Sequence, residues 1–163
     1  MIQQRDEGDC AVQVLPSGPA SQAEAIENVL LMAVYAARRE LVLTTPYFVP
    51  SESLRIALGT AARRGVKVIL VVPAKVDSLL VRYASQAFKG DLLRAGVRIA
   101  NFKGGLLHTK SISVDGEMCL FGSLNLDPRS LRLNFEISLA VYDGSFTAQL
   151  RELQQSYIDK SEL

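Results

Sequence analysis

A helical pattern ending in arginine, then a glycine, then an apolar run rich in β-branched residues, occurs twice in succession in this chain. Residues 51–64 carry the first helical pattern, Gly65 stops it, and Val66-Lys-Val-Ile-Leu-Val-Val72 follows as a strand. Residues 78–95 carry the second, Gly96 stops it, and Val97-Arg-Ile-Ala100 follows. Glycine just past a helix supplies the left-handed cap, and arginine in the last turn suits the negative end of the helix dipole. Strands that alternate with helices of this length need crossover connections, which predicts parallel strands with helices on both faces. The run 66–72 is apolar at both parities, as a strand covered on two sides must be.

The flanks extend this unit. Ala11-Val-Gln-Val-Leu15 alternates as a short strand, and Pro16-Ser-Gly-Pro19 reads as a turn. Ser21-Gln-Ala-Glu24 resembles a capping box, and Ile26, Leu30, Ala33 and Ala37 then recur at helical spacing. Residues 40–45 read as a buried strand ended by Pro46. Residues 110–114, 118–121 and 135–141 read as three more strands, with Asp115-Gly116 as a hairpin turn between the first two. Residues 145–163 read as a terminal helix. The expectation is one α/β domain over residues 11–163, built on a mixed, largely parallel sheet of six to seven strands with helices on both faces. Residues 1–10 form a polar leader outside it, too acidic for a signal peptide. Both ends are abrupt, which points to a piece of a longer protein.

At 163 residues the chain can bury roughly two thirds of its unfolded surface, so it needs no disulfide or metal staple. Its formal net charge of +1 lacks the basic excess that matches a phosphate backbone, so no specific nucleic-acid partner is expected. Cys10 and Cys119 do not form a metal-ligand spacing and read as reduced thiols, Cys119 as core packing. No apolar run reaches the length of a membrane-spanning helix, and this stretch by itself is expected to be soluble.

The chemistry gathers around His108, the one histidine in the chain. Residues two apart on a strand share a face, so His108 and Lys110 project together. An imidazole can attack phosphorus and form a phosphoramidate. Lys110 would then neutralise the phosphoryl oxygens as charge builds on them. Gly122 would let backbone approach a phosphate, and Ser123 and Asn125, again two apart, would donate to its oxygens. Glu136 is the candidate for holding the ring, as a buried acid on Nδ1 that leaves Nε2 free. Asp115 lies a whole strand away from His108, too far to orient that ring at ~3.3 Å per residue, and reads as a carboxylate that satisfies turn amides. Tyr47, just past a strand's carboxyl end, is a weaker site candidate. Leu106 and Leu107, next to His108, could stand at the mouth of the site, although ordinary strand burial is the slightly better account of both.

The spacing H-x-K-x-x-x-x-D, six residues, then G-S-x-N resembles the signature of the phospholipase D superfamily, with His108, Lys110, Asp115, Gly122, Ser123 and Asn125 at its defined positions. Glu136 falls where that family places the acid supporting the histidine. Thr45-Pro-Tyr-Phe-Val-Pro50, Asn125-Leu-Asp-Pro-Arg-Ser130 and Leu133-Asn-Phe-Glu136 look like the C-terminal half of bacterial cardiolipin synthases. The resemblance implies a catalytic set of His108, Lys110, Asp115 and Glu136, no metal and no other cofactor. It also implies phosphatidylglycerol as substrate and a site made of two such motifs, one histidine attacking and the other protonating the leaving alcohol. One histidine supplies half of that site. The missing half is expected from a preceding half of the same protein or from a second copy of this domain, and the stretch alone is expected to have little activity. The resemblance places the parent protein at the bacterial inner membrane, held by segments absent from this chain. A homodimeric superfamily phosphodiesterase or nuclease is the alternative.

Overall fold

The computed structural model describes residues 10–19, 24–75 and 88–162. Its strands are β1 (Ala11–Ser17), β2 (Glu40–Thr44), β3 (Lys67–Pro73), β4 (Arg98–Phe102), β5 (Ser111–Val114), β6 (Met118–Gly122), β7 (Glu136–Tyr142) and β8 (Ser161–Glu162). They form one eight-stranded sheet in the order β1-β7-β6-β5-β2-β3-β4-β8. The helices are α1 (Ala25–Ala36), α2 (Glu52–Arg63), α3 (described over residues 88–94), α4 (Pro128–Arg132) and α5 (Gly144–Ile158).

The first helix–glycine–strand unit folds as its pattern predicts, and of the second the described helix end at residues 88–94, Gly96 and β4 do so. Ser51 caps α2 by accepting the Leu54 N–H at 3.2 Å, and Gly65 and Gly96 take positive φ angles of 92° and 97°. Arg64 serves helix-end chemistry, donating to the Ala37 carbonyl at 3.1 Å and the Tyr35 carbonyl at 3.2 Å at the C-terminal end of α1. The Ser21 end of the expected capping box and most of the 78–95 helix lie outside the described residues; Glu24 makes no side-chain cap.

The sheet is mixed, but the expected largely parallel character is corrected. Only β2–β3 and β3–β4 pair in parallel, and every other pairing is antiparallel. Helical crossovers join only β2, β3 and β4; the chain then passes to the other side of β2, where the β5–β6 hairpin and the connection through α4 to β7 make antiparallel neighbours. The turn after β5 has Asp115 and Gly116 at φ 54° and 74°, as a type I′ hairpin requires. The strand count also exceeds the expected six to seven. The terminal helix stops at Ile158, and Ser161–Glu162 pairs with Asn101–Phe102. That pairing covers the free edge of β4 and is pinned by Lys103–Glu162 at 2.6 Å. β1 runs through Pro16 because it is an edge strand, paired with β7 alone, where a missing N–H is tolerated.

Alternation along β2 splits the interior in two. Leu41 and Leu43 join the core under α1 and α2 with Leu30, Val34 and Leu58, whereas Val42 joins Ile69, Val71, Ala100, Phe102 and Leu107 on the opposite face. Tyr157 and Ile158 of α5 close that second core, so helices do cover both faces. Full burial of each such aliphatic side chain is worth about 1.5–3 kcal/mol. No described helix is long and apolar enough to cross a membrane.

One buried polar side chain crosses the second interface. Gln154 of α5 is fully buried; its Oε1 accepts the Ser113 hydroxyl at 2.6 Å, and its Nε2 donates to Ser111 Oγ at 3.1 Å and to the Val42 carbonyl at 3.2 Å. A turn further on, Tyr157 shares a 2.9 Å hydrogen bond with Thr109. The helix thereby grips the strand that carries the candidate site from behind.

Candidate active site

The segment entering β5 divides its side chains by alternation. Leu107 is buried in the second core and Thr109 bonds α5, which turns His108 and Lys110 the other way. His108 is exposed and Lys110 half-buried. Lys110 Nζ lies 3.0 Å from His108 Nδ1 and 3.4 Å from Nε2, and donates to the His108 carbonyl at 2.7 Å. Burial pushes the Lys110 ammonium below its usual pKa, and the nearby Glu136 charge opposes that push. An imidazole and a partly desolvated cation thus converge as the spacing predicts.

Glu136 is placed differently from the expectation. It is half-buried, and its carboxylate accepts the Ser123 hydroxyl and, at 3.1 Å, the Asn134 amide. It makes no hydrogen bond to His108, whose ring faces Lys110 instead. Ser123 is further tied to β7, since its Oγ accepts the Ile137 N–H at 3.0 Å while its own N–H donates to the Ile137 carbonyl at 3.0 Å. Gly122 has a reason for being glycine within the sheet itself: a Cβ there would stand 2.2 Å from the Ile137 carbonyl oxygen. Close passage of β7 demands it, whatever the position does for a phosphate.

Asn125 donates to Ser130 Oγ at 3.3 Å, and its Oδ1 is buried with no partner among the described residues. A parallel bridge between Phe48 and Leu126, with the Val49 N–H donating to the Leu126 carbonyl at 2.8 Å, brings the loop after β2 alongside. Tyr47 and Asn125 consequently line one open groove of about 950 Å³, shared with Arg129, Arg132, Leu133 and Asn134. Sequence reading did not single out these two arginines or Leu133 as site residues; their grouping depends on the fold of α4.

Asp115 sits at the far end of β5 from His108. Its carboxylate accepts the backbone N–H groups of Arg38, Arg39 and Glu40 at 2.9, 2.7 and 2.8 Å. Partial burial pushes its pKa up, yet these donors outweigh it and hold the carboxyl below its usual value. Leu106 and Leu107 separate: the first is 90% exposed, the second 2%.

The chain matches the family described as cardiolipin synthase, phospholipase D-like domain, over residues 30–157. It is 55% identical over 152 residues to Cardiolipin synthase A of Yersinia pseudotuberculosis and of Yersinia pestis, a match covering 93% of this chain and 31% of those proteins. The chain therefore spans about a third of the length of the curated relatives it matches. Among solved structures it resembles Nuc from Salmonella typhimurium, a phospholipase D family member, with a TM-score of 0.81 at 20% identity, covering 94% of this chain and 97% of that one. It also resembles phosphatidylserine synthase of Haemophilus influenzae Rd KW20, with a TM-score of 0.75 at 20% identity, covering 94% of this chain and 40% of that one. At such identities these two likenesses speak for the fold alone. With the family match running through both cores and the whole His108–Asn125 stretch, the chain belongs to the phospholipase D-like domain family of the cardiolipin synthases.

Proposed function

We propose that this domain supplies one half of a phosphatidyltransferase site that joins two phosphatidylglycerol molecules into cardiolipin and releases glycerol. The observation that carries the reading is the convergence of His108 and Lys110, 3.0 Å apart, at the exposed start of β5. One imidazole attacks the lipid phosphorus and forms a P–N bond, while the P–O bond to the glycerol head breaks. The leaving oxygen takes a proton from the second imidazole. That second ring then removes a proton from the hydroxyl of another phosphatidylglycerol, which attacks phosphorus, breaks the P–N bond and restores the first ring. Lys110 leaves the imidazole for the phosphoryl oxygens when substrate arrives; such bonds commonly rearrange on substrate binding. Ser123 and Asn125 assist there, and Glu136, held by Ser123 and Asn134, balances the charge of Lys110.

A second imidazole must come from outside this chain, from a preceding half of the same protein or from another copy of the domain. We place the working enzyme at the bacterial inner membrane, where its lipid substrate resides. The test incubates phosphate-labelled phosphatidylglycerol with the longest native protein carrying this domain. Cardiolipin, free glycerol and an acid-labile label on histidine are expected, and His108→Ala should lower turnover at least a thousandfold. Full activity in that variant would remove the mechanism. The alternative is a homodimeric phosphodiesterase. In its favour, this chain covers 97% of the Nuc chain, so one such domain suffices for a whole chain. Phosphatidic acid as the sole lipid product, or cleavage of nucleic acid, would favour it.

A further inference from the structure

The groove beside α4 holds two cations that the His108–Asn125 motif does not include. Arg129 and Arg132 are three residues apart on α4, which sets them on neighbouring positions of one helical side. Both are exposed and neither pairs with a carboxylate among the described residues. The acid in the lining, Asp127, is turned to the helix: Oδ1 accepts the N–H groups of Arg129 and Ser130 at 2.9 and 3.0 Å, and Oδ2 the Ser130 hydroxyl at 3.1 Å. Beside the cations stand Leu133, 67% exposed, and Tyr47, 41% exposed. Guanidinium forks next to bare apolar surface suit an anionic head that carries hydrocarbon. A free phosphate would leave Leu133 and Tyr47 uncovered.

The groove also runs into the candidate active site. It shares Asn125 with the motif, and Asn134, another lining residue, bonds Glu136 at 3.1 Å beside Lys110. Lys110 already serves the phosphorus that reacts. A second cationic position therefore fits a second phosphate, one that stays intact.

We infer that the groove between Tyr47 and α4 seats the headgroup of an anionic glycerophospholipid that is not itself cleaved, with Arg129 and Arg132 holding its phosphate and Leu133 and Tyr47 covering its first acyl carbons. The inference rests on the phosphatidyltransferase reading, whose accepting alcohol is a lipid with its own phosphate.

The test titrates the chain with monomeric dihexanoyl phosphatidylglycerol, with dihexanoyl phosphatidylcholine and with glycerol 3-phosphate, following binding by calorimetry. Binding of the first is expected to be at least tenfold tighter than of either other ligand. The paired variant Arg129→Gln/Arg132→Gln should weaken it at least tenfold with unchanged circular dichroism and melting temperature, and Arg129→Lys/Arg132→Lys should recover part of it. Glu152→Gln, an exposed position on α5 that does not line the groove, should bind the lipid as the parent does. Equal binding of phosphatidylcholine, equal binding of glycerol 3-phosphate, or no loss in the glutamine pair would overturn the inference. Lipid binding that is lost in the glutamine pair, together with no label ever trapped on His108 in turnover, would uphold the groove while the proposed reaction fails.

Discussion

Asp115 Oδ1 accepts the backbone N–H of Arg39 at 2.7 Å, tying the β5–β6 hairpin to the turn that launches β2. With Arg38 and Glu40 also donating, three amides converge on one carboxylate, and the Asp115 N–H returns a bond to the Glu40 carbonyl at 2.9 Å. The carboxylate of the motif is thus a brace between neighbouring strands. Asp115→Ala should cost about 2 kcal/mol in chemical denaturation, since charge-assisted bonds are lost and φ 54° is strained for alanine. Asp115→Asn, which tolerates that φ and keeps one acceptor, should cost less. Its turnover per folded molecule should stay within about threefold of the parent if the residue acts only as a brace.

Glu40 sets an acid limit on stability. The Arg151 guanidinium, bonded at 2.7 and 3.2 Å, draws its carboxyl down to about 2 against the upward push of burial, and Lys67 at 2.7 Å adds to the pull. A depressed carboxyl contributes fully above its unfolded value and loses that contribution as pH falls through the folded one. The stability due to Glu40, about 1–2 kcal/mol once solvent screening of this partly exposed cluster is allowed for, should therefore fade between about pH 4.5 and pH 2. Glu40→Gln should flatten the stability profile in that window, as measured by urea midpoints at successive pH values.

Much of this was legible in the residues because local chemistry settles it. Gly65 and Gly96 cap helices, Asp115-Gly116 turns a hairpin, and the His108–Lys110 pair converges as a two-residue offset on extended chain demands. Strand direction was not legible, because an apolar run such as residues 111–114 packs equally well either way; only the connections decide, and they made β5 antiparallel to β2. The partners of Glu136 escaped for a similar reason. A half-buried acid takes the nearest donors; Ser123 reaches it through the pairing of β6 with β7, and Asn134 from two residues upstream. Gln154 resembled any polar residue on a solvated helix. The signal that could have found it is Ser111 and Ser113, two hydroxyls on one face of a strand buried throughout.

Gly122→Ala tests the passage of β7. A Cβ 2.2 Å from the Ile137 oxygen and 2.8 Å from the Ser138 Cα meets backbone on both counts, so the strands must part. A loss of about 3 kcal/mol is expected on denaturant unfolding. A neutral result would show that the two strands separate freely at that point.

Gln154→Leu keeps the side chain's bulk and removes its polar atoms. The Ser111 and Ser113 hydroxyls and the Val42 carbonyl would then face an apolar side chain, at a cost of about 3 kcal/mol. Gln154→Glu should also destabilise, because a carboxylate cannot donate to Val42 or Ser111 and its charge would be buried. Both variants should melt earlier than a surface control such as Glu152→Gln.

Glu136→Gln should move the alkaline edge of activity. Burial lowers the Lys110 pKa, and the Glu136 charge raises it in opposition. Removing that charge leaves burial unopposed, so Lys110 sheds its proton at a lower pH. A reaction that needs the ammonium on the phosphoryl oxygens then fails earlier as pH rises. The expected result is an alkaline limb of kcat displaced toward neutrality in the variant, with the acid limb unmoved. An alkaline limb that stays in place, with turnover lowered evenly at every pH, would mean that Glu136 acts by holding Ser123 and Asn134 rather than through the charge on Lys110.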